Sequence, residues 1–395
     1  MPYPVKWYTH DFAGVPDLGA PVAGGLIGIL RACLVDGFND QVPTTMTFAG
    51  DEITIDFGAP GHGFLWAQIV EVTGADQSEY NGEHRVSEVS TNWIKVKPES
   101  TPGVGTATTA SAFGCRTPPV GGWSTLYYDA PTHNIIFGRT DAASTEYKLR
   151  IYNDQSYDTS GGLYGCYHAK IEILEDYVDD LTHTIHSTRY WPAAYTYSDV
   201  GAYWSIFADK LMFYWNNRYA QNEGNDSCLM FGDINSVIPY DTGHCITNQI
   251  INTGTSARWE NEGYDAHFPF AQHKLTSYRY MMKDYSQGGA TSWSTQGPDT
   301  YMANSISYPN PGTNGFFIWK GPMPLLEGTT IVRGYLPGVM QPLHRNSYYW
   351  NRVIDQFPGL EGVPAICWPT SCSTKNDRGA YGRMAAWRLD DWRTG

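Results

Sequence analysis

Short runs of alternating apolar and polar residues, each broken by Gly, Asp or Asn, recur along this chain and constrain its fold more than any other feature. In TMTFAGDEITIDF, Met46 and Phe48 and then Ile53, Ile55 and Phe57 alternate with polar neighbours across a Gly-Asp turn. Period two puts successive side chains on opposite faces, so this stretch predicts a hairpin. The pattern continues through QIVEVTGADQSEYNGEHRVSEVSTNWIKVK, residues 68–97. One strand runs through Ile69, Val70 and Val72, another from Arg85 to Val89, and a third from Trp93 to Val96. Asn81-Gly82 suits a tight hairpin turn, because both residues tolerate positive φ. Arg85 and Glu88 point away from the apolar face, where they decorate or dock a small β module.

Beyond a stretch rich in Ser, Thr, Gly, Ala and Pro, short apolar runs resume as NIIFGRT, EYKLRIYND, YGCYHAKIEILEDY, AYWSIFADKLMFYW and SCLMFGDINSVIPYD. Their spacing by turn residues is that of sheet sandwiches and barrels. A helical pattern occurs in PVAGGLIGILRACLV, where Leu26, Ile27, Leu30, Leu34 and Val35 recur at helical spacing. Pro21 fits its first turn and Gly37 its end. The stretch is short, rich in glycine and carries Arg31, whereas a membrane span needs roughly 20 apolar residues. It reads as a buried helix.

The expected fold is therefore mainly β, with two or three β-sandwich or barrel-like domains, a short N-terminal helix and long loops. Residues 1–98 read as the helix plus the small β module, and 99–122 as a linker. Residues 123–245 read as a central β domain, 246–305 as a loop-rich insertion or arm, and 306–395 as a C-terminal β region.

Only 17% of the 395 residues are charged, against about 25% in an average protein. Aromatics reach 14%, including 28 Tyr and 14 Trp. Their apolar bodies and polar tips serve cores, subunit contacts and sugar faces alike. The net charge of -14 repels phosphate backbones, and no Lys/Arg run or nucleic-acid motif is present, so nucleic acid is not an expected partner. No charged segment leading into an apolar core opens the chain, so no signal peptide is expected. Seven widely spaced cysteines, at 33, 115, 166, 228, 245, 367 and 372, argue against a secreted disulfide framework. Cys367 and Cys372 are close enough for a late disulfide, although two free thiols fit the scatter better.

The chemistry-bearing residues do not assemble into a known motif. His183 and His186 are three apart, with Cys166 and His168 upstream, but no HExxH frame surrounds them, and ordinary hydrogen-bonding histidines are the simpler reading. Glu172, Glu175, Asp176, Asp179 and Asp180 cluster in IEILEDYVDDL. A pair of carboxylates among them would suit glycoside hydrolysis at the right separation, and a solvated edge otherwise. No calcium loop, serine elbow, phosphate loop or dinucleotide fingerprint occurs. No catalytic, cofactor-binding or metal-binding residue is assigned, no cofactor is expected, and enzyme activity is unsupported.

Several phrases together resemble an uncharacterised family of tailed-bacteriophage virion structural proteins. GHGFLWAQIVEVTGADQSEYNGEHRVSEVSTNWIKVK is similar to a small β module of such proteins through Gly61, His62, Gly74, Ala75, Asn81, Gly82, Val86, Val89 and Trp93. The preceding APVAGGLIGILRACLVDGF resembles their N-terminal helix. YKLRIYND, FADKLMFYW, FGDINS, VRGYLPGV and the closing Trp392-Arg393 extend the similarity in patches, while 246–305 lies outside it. The resemblance implies a virion structural role at the tail tip or baseplate, assembled in host cytoplasm. It implies other virion proteins as partners and a homo-oligomeric ring or trimer, and it carries over no catalytic residue. A capsid-associated decoration or head-fibre protein is one alternative. A carbohydrate-binding protein that recognises a host surface glycan is another, and a virion glycan hydrolase using the acidic segment is a third.

Overall fold

The computed structural model describes residues 3–18, 23–154, 168–192, 204–218, 226–248, 279–295, 312, 318–319, 321–328, 330–342, 352–357, 360–371 and 383–393. They form a mainly β protein of four antiparallel sheets with a short α-helix near the N-terminus. Cys166, Cys372 and much of 246–305 lie outside the described residues.

The small module is a seven-stranded sheet ordered Phe38–Gln41, Gly114–Thr117, Ile69–Thr73, Gly82–Val89, Trp93–Val96, Glu52–Asp56 and Thr45–Ala49. Met46, Ile53, Ile55, Val70, Val72, Val86, Ile94 and Val96 alternate inward and enclose a core of their own. The expected hairpin over 45–56 is present, with Met46 opposite Ile55 and Phe48 opposite Ile53. The stretch of linker composition is part of this module. Phe48 N–H donates to Gly105 O, Ala107 N–H to Met46 O and Asp76 N–H to Thr108 O, so residues 105–108 bridge the open side of the curled sheet. Gly114–Thr117 then pairs with both Ile69–Thr73 and Phe38–Gln41.

Asn81-Gly82 does not make the expected two-residue turn. Val72 pairs with Gly82, and a longer loop containing a 3-10 turn at Ser78–Tyr80 joins the strands. Asn81 itself is extended, and its side-chain amide closes the loop: Oδ1 accepts from Ala75 N–H at 3.0 Å and Nδ2 donates to Ala75 O at 2.8 Å. The side chain bonds Ala75 as a strand neighbour would, so the residue's turn chemistry is used through its amide and not through its φ.

A ten-stranded sheet forms the centre of the molecule. Its order is Lys6–Thr9, Trp204–Ala208, Met212–Arg218, Asp226–Asp233, Cys245–Asn248, Arg279–Met281, Thr291–Thr295, Met323–Glu327, Ile331–Leu336 and Asn235–Ser236. The last of these directly follows Asp226–Asp233 in the chain, so this end of the sheet rolls back on itself. Arg279–Met281 and Thr291–Thr295 come from the stretch whose polar composition suggested loops, and they are integral to the roll. The N-terminal strand belongs to this sheet and not to the small module, with Lys6 opposite Ala208.

Two five-stranded sheets cover the central one on opposite faces. One, ordered Thr184–Pro192, His168–Glu175, Lys148–Tyr152, Asn134–Arg139 and Trp123–Asp129, brings Trp123 and Trp191 onto Phe213 at centroid distances of 5.4 and 5.9 Å. The other contains Ile318–Trp319, Val339–Pro342, Arg383–Arg388, Leu360–Ser371 and Arg352–Phe357. It stacks Trp387 on Phe207 and sets Trp387 and Trp392 against Tyr214. Phe213 and Tyr214 are neighbours in one strand and face opposite layers, which is period two at work in a strand covered on both sides. Such strands read as unbroken apolar runs, as WSIFA does in Trp204–Ala208.

The helix occupies Gly25–Arg31 and continues as a π-type turn over Ala32–Asp36. Leu26, Ile29, Leu30 and Leu34 are buried in the core shared by the three layers, not in that of the small module. Leu26 N–H donates to Asn153 Oδ1 at 3.1 Å, an N-terminal bond supplied from the end of a strand. Gly37, at φ 74, ends the element as expected. No helix among the described residues is long and apolar enough to cross a membrane.

Candidate functional site

The acidic segment lies on the outer of the paired strands His168–Glu175 and Thr184–Pro192 and in the turn between them. Glu172 and Glu175 are three apart on a strand and therefore face opposite sides of the sheet. Glu172 is nearly fully buried on the face away from the central sheet, with Lys170 Nζ at 2.5 Å and Arg150 Nη1 at 3.6 Å. Glu175 turns toward the central sheet. It meets His186 Nδ1 at 3.3 Å, Tyr147 OH at 3.4 Å and Lys283 Nζ at 3.7 Å.

Asp179 holds the turn, its Oδ1 accepting from Leu181 N–H at 2.9 Å and Thr182 N–H at 2.7 Å. These bonds hold its carboxyl below the ordinary value. Asp176 occupies the left-handed region at φ 52, which permits the sharp exit from the strand. The carboxylates thus serve three separate places. The two histidines are also apart: His183 Nε2 lies 3.0 Å from Arg150 Nη1, which can only donate, while His186 packs edge-on against Tyr147. Among the described residues, no group of three or more His, Cys, Asp and Glu side chains is arranged to hold a metal ion.

Three ion clusters that the sequence reading did not single out tie the layers together. Arg139 Nη1 pairs with Asp233 Oδ1, both fully buried, and Thr145 donates to Asp233 through its hydroxyl and its N–H. Arg333 is also fully buried. It donates to Asp241 at 2.6 Å, Glu327 at 2.7 Å and Lys283 O at 2.9 Å. Arg393 forks onto Asp209, with Nε at 2.6 Å and Nη2 at 3.0 Å, and reaches Asp233 O and Asn235 Oδ1. A lone arginine within an apolar run, as in IIFGRT and IVRGYL, was the available signal, since a buried cation requires a partner. Arg85 docks across modules: its Nη2 donates to Leu389 O at 3.2 Å and its guanidinium lies over the Tyr3 ring. Glu88 pairs with Lys95.

Cys33, Cys115, Cys228, Cys245 and Cys367 are free and buried. Burial pushes every one of these thiols up, to about 12 for Cys245 and Cys367. Thiolate chemistry is thereby suppressed at all five.

These features define a class: a three-layer β protein with an appended β module, whose internal charges are spent on one another. No family model matches the chain, and no curated protein matches it. One solved structure it is similar to is the phage phi92 endosialidase, at 12% identity and a TM-score of 0.18, over 89% of this chain and 52% of that one. The chain thus spans about half the length of that protein, and a superposition this loose carries no argument about fold or function.

Proposed function

We propose that this chain is a structural component of a tailed-bacteriophage virion, at the tail tip or baseplate, assembled in host cytoplasm through contacts with other virion proteins and with copies of itself. The observation that carries this reading is where exposed apolar residues gather. Val178, Leu181 and Ile185 project from one end of the five-stranded sheet that holds the acidic segment, with Leu181 90% exposed. Val237, Tyr240, Tyr285, Ile331 and Val332 surround the Arg333 cluster at the rolled end of the central sheet. Apolar residues concentrated on turns, above charges that are neutralised internally, suit partner contacts better than a reaction centre. The patchy sequence resemblance points the same way.

Mass spectrometry of purified tailed particles made with the tagged chain tests this. Incorporation at a fixed copy number, with label at the tail end in electron micrographs, is expected. Exclusion of Val178→Asp plus Leu181→Asp from particles is expected as well. Absence of the unmodified chain from particles would overturn the reading. Light scattering on the purified chain reports separately whether a ring or trimer forms without partners.

A further inference from the structure

The face of the five-stranded sheet that points away from the central layer carries a polar strip whose bonding is incomplete. Register places Tyr127, Ile136, Arg150, Glu172 and Thr188 in one row across all five strands. The adjacent row contains Asn134, Tyr152 and Lys170. The turn at 176–183 folds over this face, because Arg150 Nη2 donates to Asp180 O at 2.8 Å and His183 meets the same guanidinium.

Four buried polar atoms here have no hydrogen-bond partner: Asn134 Oδ1, Arg150 Nε, Glu172 Oε2 and Asp180 Oδ1. Side-chain exposure is 6% for Arg150 and 3% for Glu172, so bulk water does not satisfy them. A buried polar atom left unbonded costs about 1–3 kcal/mol, and four on one sheet face amount to a demand for a ligand. Three of the four accept protons and one donates. Arg150 stacks over the Tyr152 ring at 5.4 Å and Lys170 lies 5.1 Å from it, while Tyr127 and Tyr177 stand close enough to Asp180 to feel its charge.

We infer that this face binds a neutral sugar unit. Its hydroxyls donate to Asn134, Glu172 and Asp180, one hydroxyl oxygen accepts from Arg150, and tyrosine rings flank the sugar ring. A cation is disfavoured by Arg150 and Lys170, and an anion by the carboxylates of Glu172 and Asp180. A polyol supplies both donors and acceptors without charge. The site is independent of the virion reading, since a sugar face is useful to a particle protein and to a free lectin alike.

Isothermal calorimetry of the full chain against neutral gluco-, galacto- and manno-configured oligosaccharides, with sialylated ones beside them, is the test. Saturable binding by a neutral oligosaccharide is expected. Glu172→Gln and Asn134→Ala are each expected to weaken it about tenfold. Asn134 Oδ1 makes no bond in the fold, so its truncation leaves the sheet intact even where Glu172→Gln perturbs it. The inference is overturned by binding confined to sialylated sugars, by affinity unchanged in Asn134→Ala, or by no binding together with a crystal structure in which ordered waters alone satisfy the four atoms. None of those outcomes bears on particle incorporation.

Discussion

The Phe207 and Trp387 rings stack at 4.4 Å with 1° between their planes, joining the central sheet to the C-terminal one. Both side chains are fully buried, and Trp387 also packs against Tyr214. Trp387→Ala is expected to lower unfolding free energy by about 3–5 kcal/mol through lost burial and a cavity. Trp387→Phe should retain roughly half of that. Urea denaturation measures both, and equal losses for the two variants would show that the ring stack is not what joins the layers.

Asp233 predicts a specific acid response. Burial pushes its carboxyl up, but Arg139, His244 and the Thr145 bonds outweigh that and hold it below the ordinary 3.8. A depressed carboxyl contributes stability that is complete above the unfolded value and is lost as pH falls through the lower folded value. Stability should therefore stay flat near neutrality and decline from about pH 4 downward. Asp233→Asn should flatten that decline. It should also cost about 3–5 kcal/mol at neutral pH, because Arg139 is left buried without a counter-charge.

Lys6 joins the edge of the central sheet to the small module. Its Nζ lies 2.8 Å from Glu83 and 3.0 Å from Val120 O. Burial lowers the ammonium's pKa, and Glu83 only partly restores it. Glu83→Gln should cost about 3 kcal/mol at neutral pH, since a buried charge loses its partner. A lysine with a lowered folded value is destabilising while protonated, so that deficit should shrink as pH rises toward 10.5. The double change Lys6→Met with Glu83→Leu should be neutral or stabilising. Thermal melts across pH read all three expectations.

Gly338 sits at φ +70, and a Cβ there would lie 2.1 Å from Trp392 Nε1. Gly338→Ala should lower the melting temperature through backbone strain and through displacement of Trp392, whose carbonyl accepts from Asn235 Nδ2 at 2.8 Å. Hydrogen exchange should localise the loosening to the segment after Arg388. An unchanged melt would mean that the tail repacks without cost.

The hairpin over 45–56 was legible because alternation and a Gly-Asp turn agree there, and the mainly β class followed from the same signal repeated. The rolling of the central sheet was not legible. Arg279–Met281 and Thr291–Thr295 are short, polar strands whose pairing depends on neighbours far away in sequence. Asn81-Gly82 misled for a local reason: one residue type offers both a backbone turn and a side-chain clamp, and only the loop length chooses between them. The candidate acids were correctly located as a cluster. Glu172 and Glu175 nevertheless face opposite sides of their strand, and the sheet's register decides what each meets. The partners of Arg139 and Arg333 lie 94 and 92 residues away, beyond any local pattern.

Lys6 pairs in register with Ala208, and Arg393 grips Asp209, the next residue. The first strand and the last described residues therefore anchor to a single hairpin bend. Tension entering before Lys6 and leaving after Arg393 would pass through that bend alone. The outer sheet with its polar face and the rolled part of the central sheet would stay off the load path, able to keep their shape while the molecule is pulled.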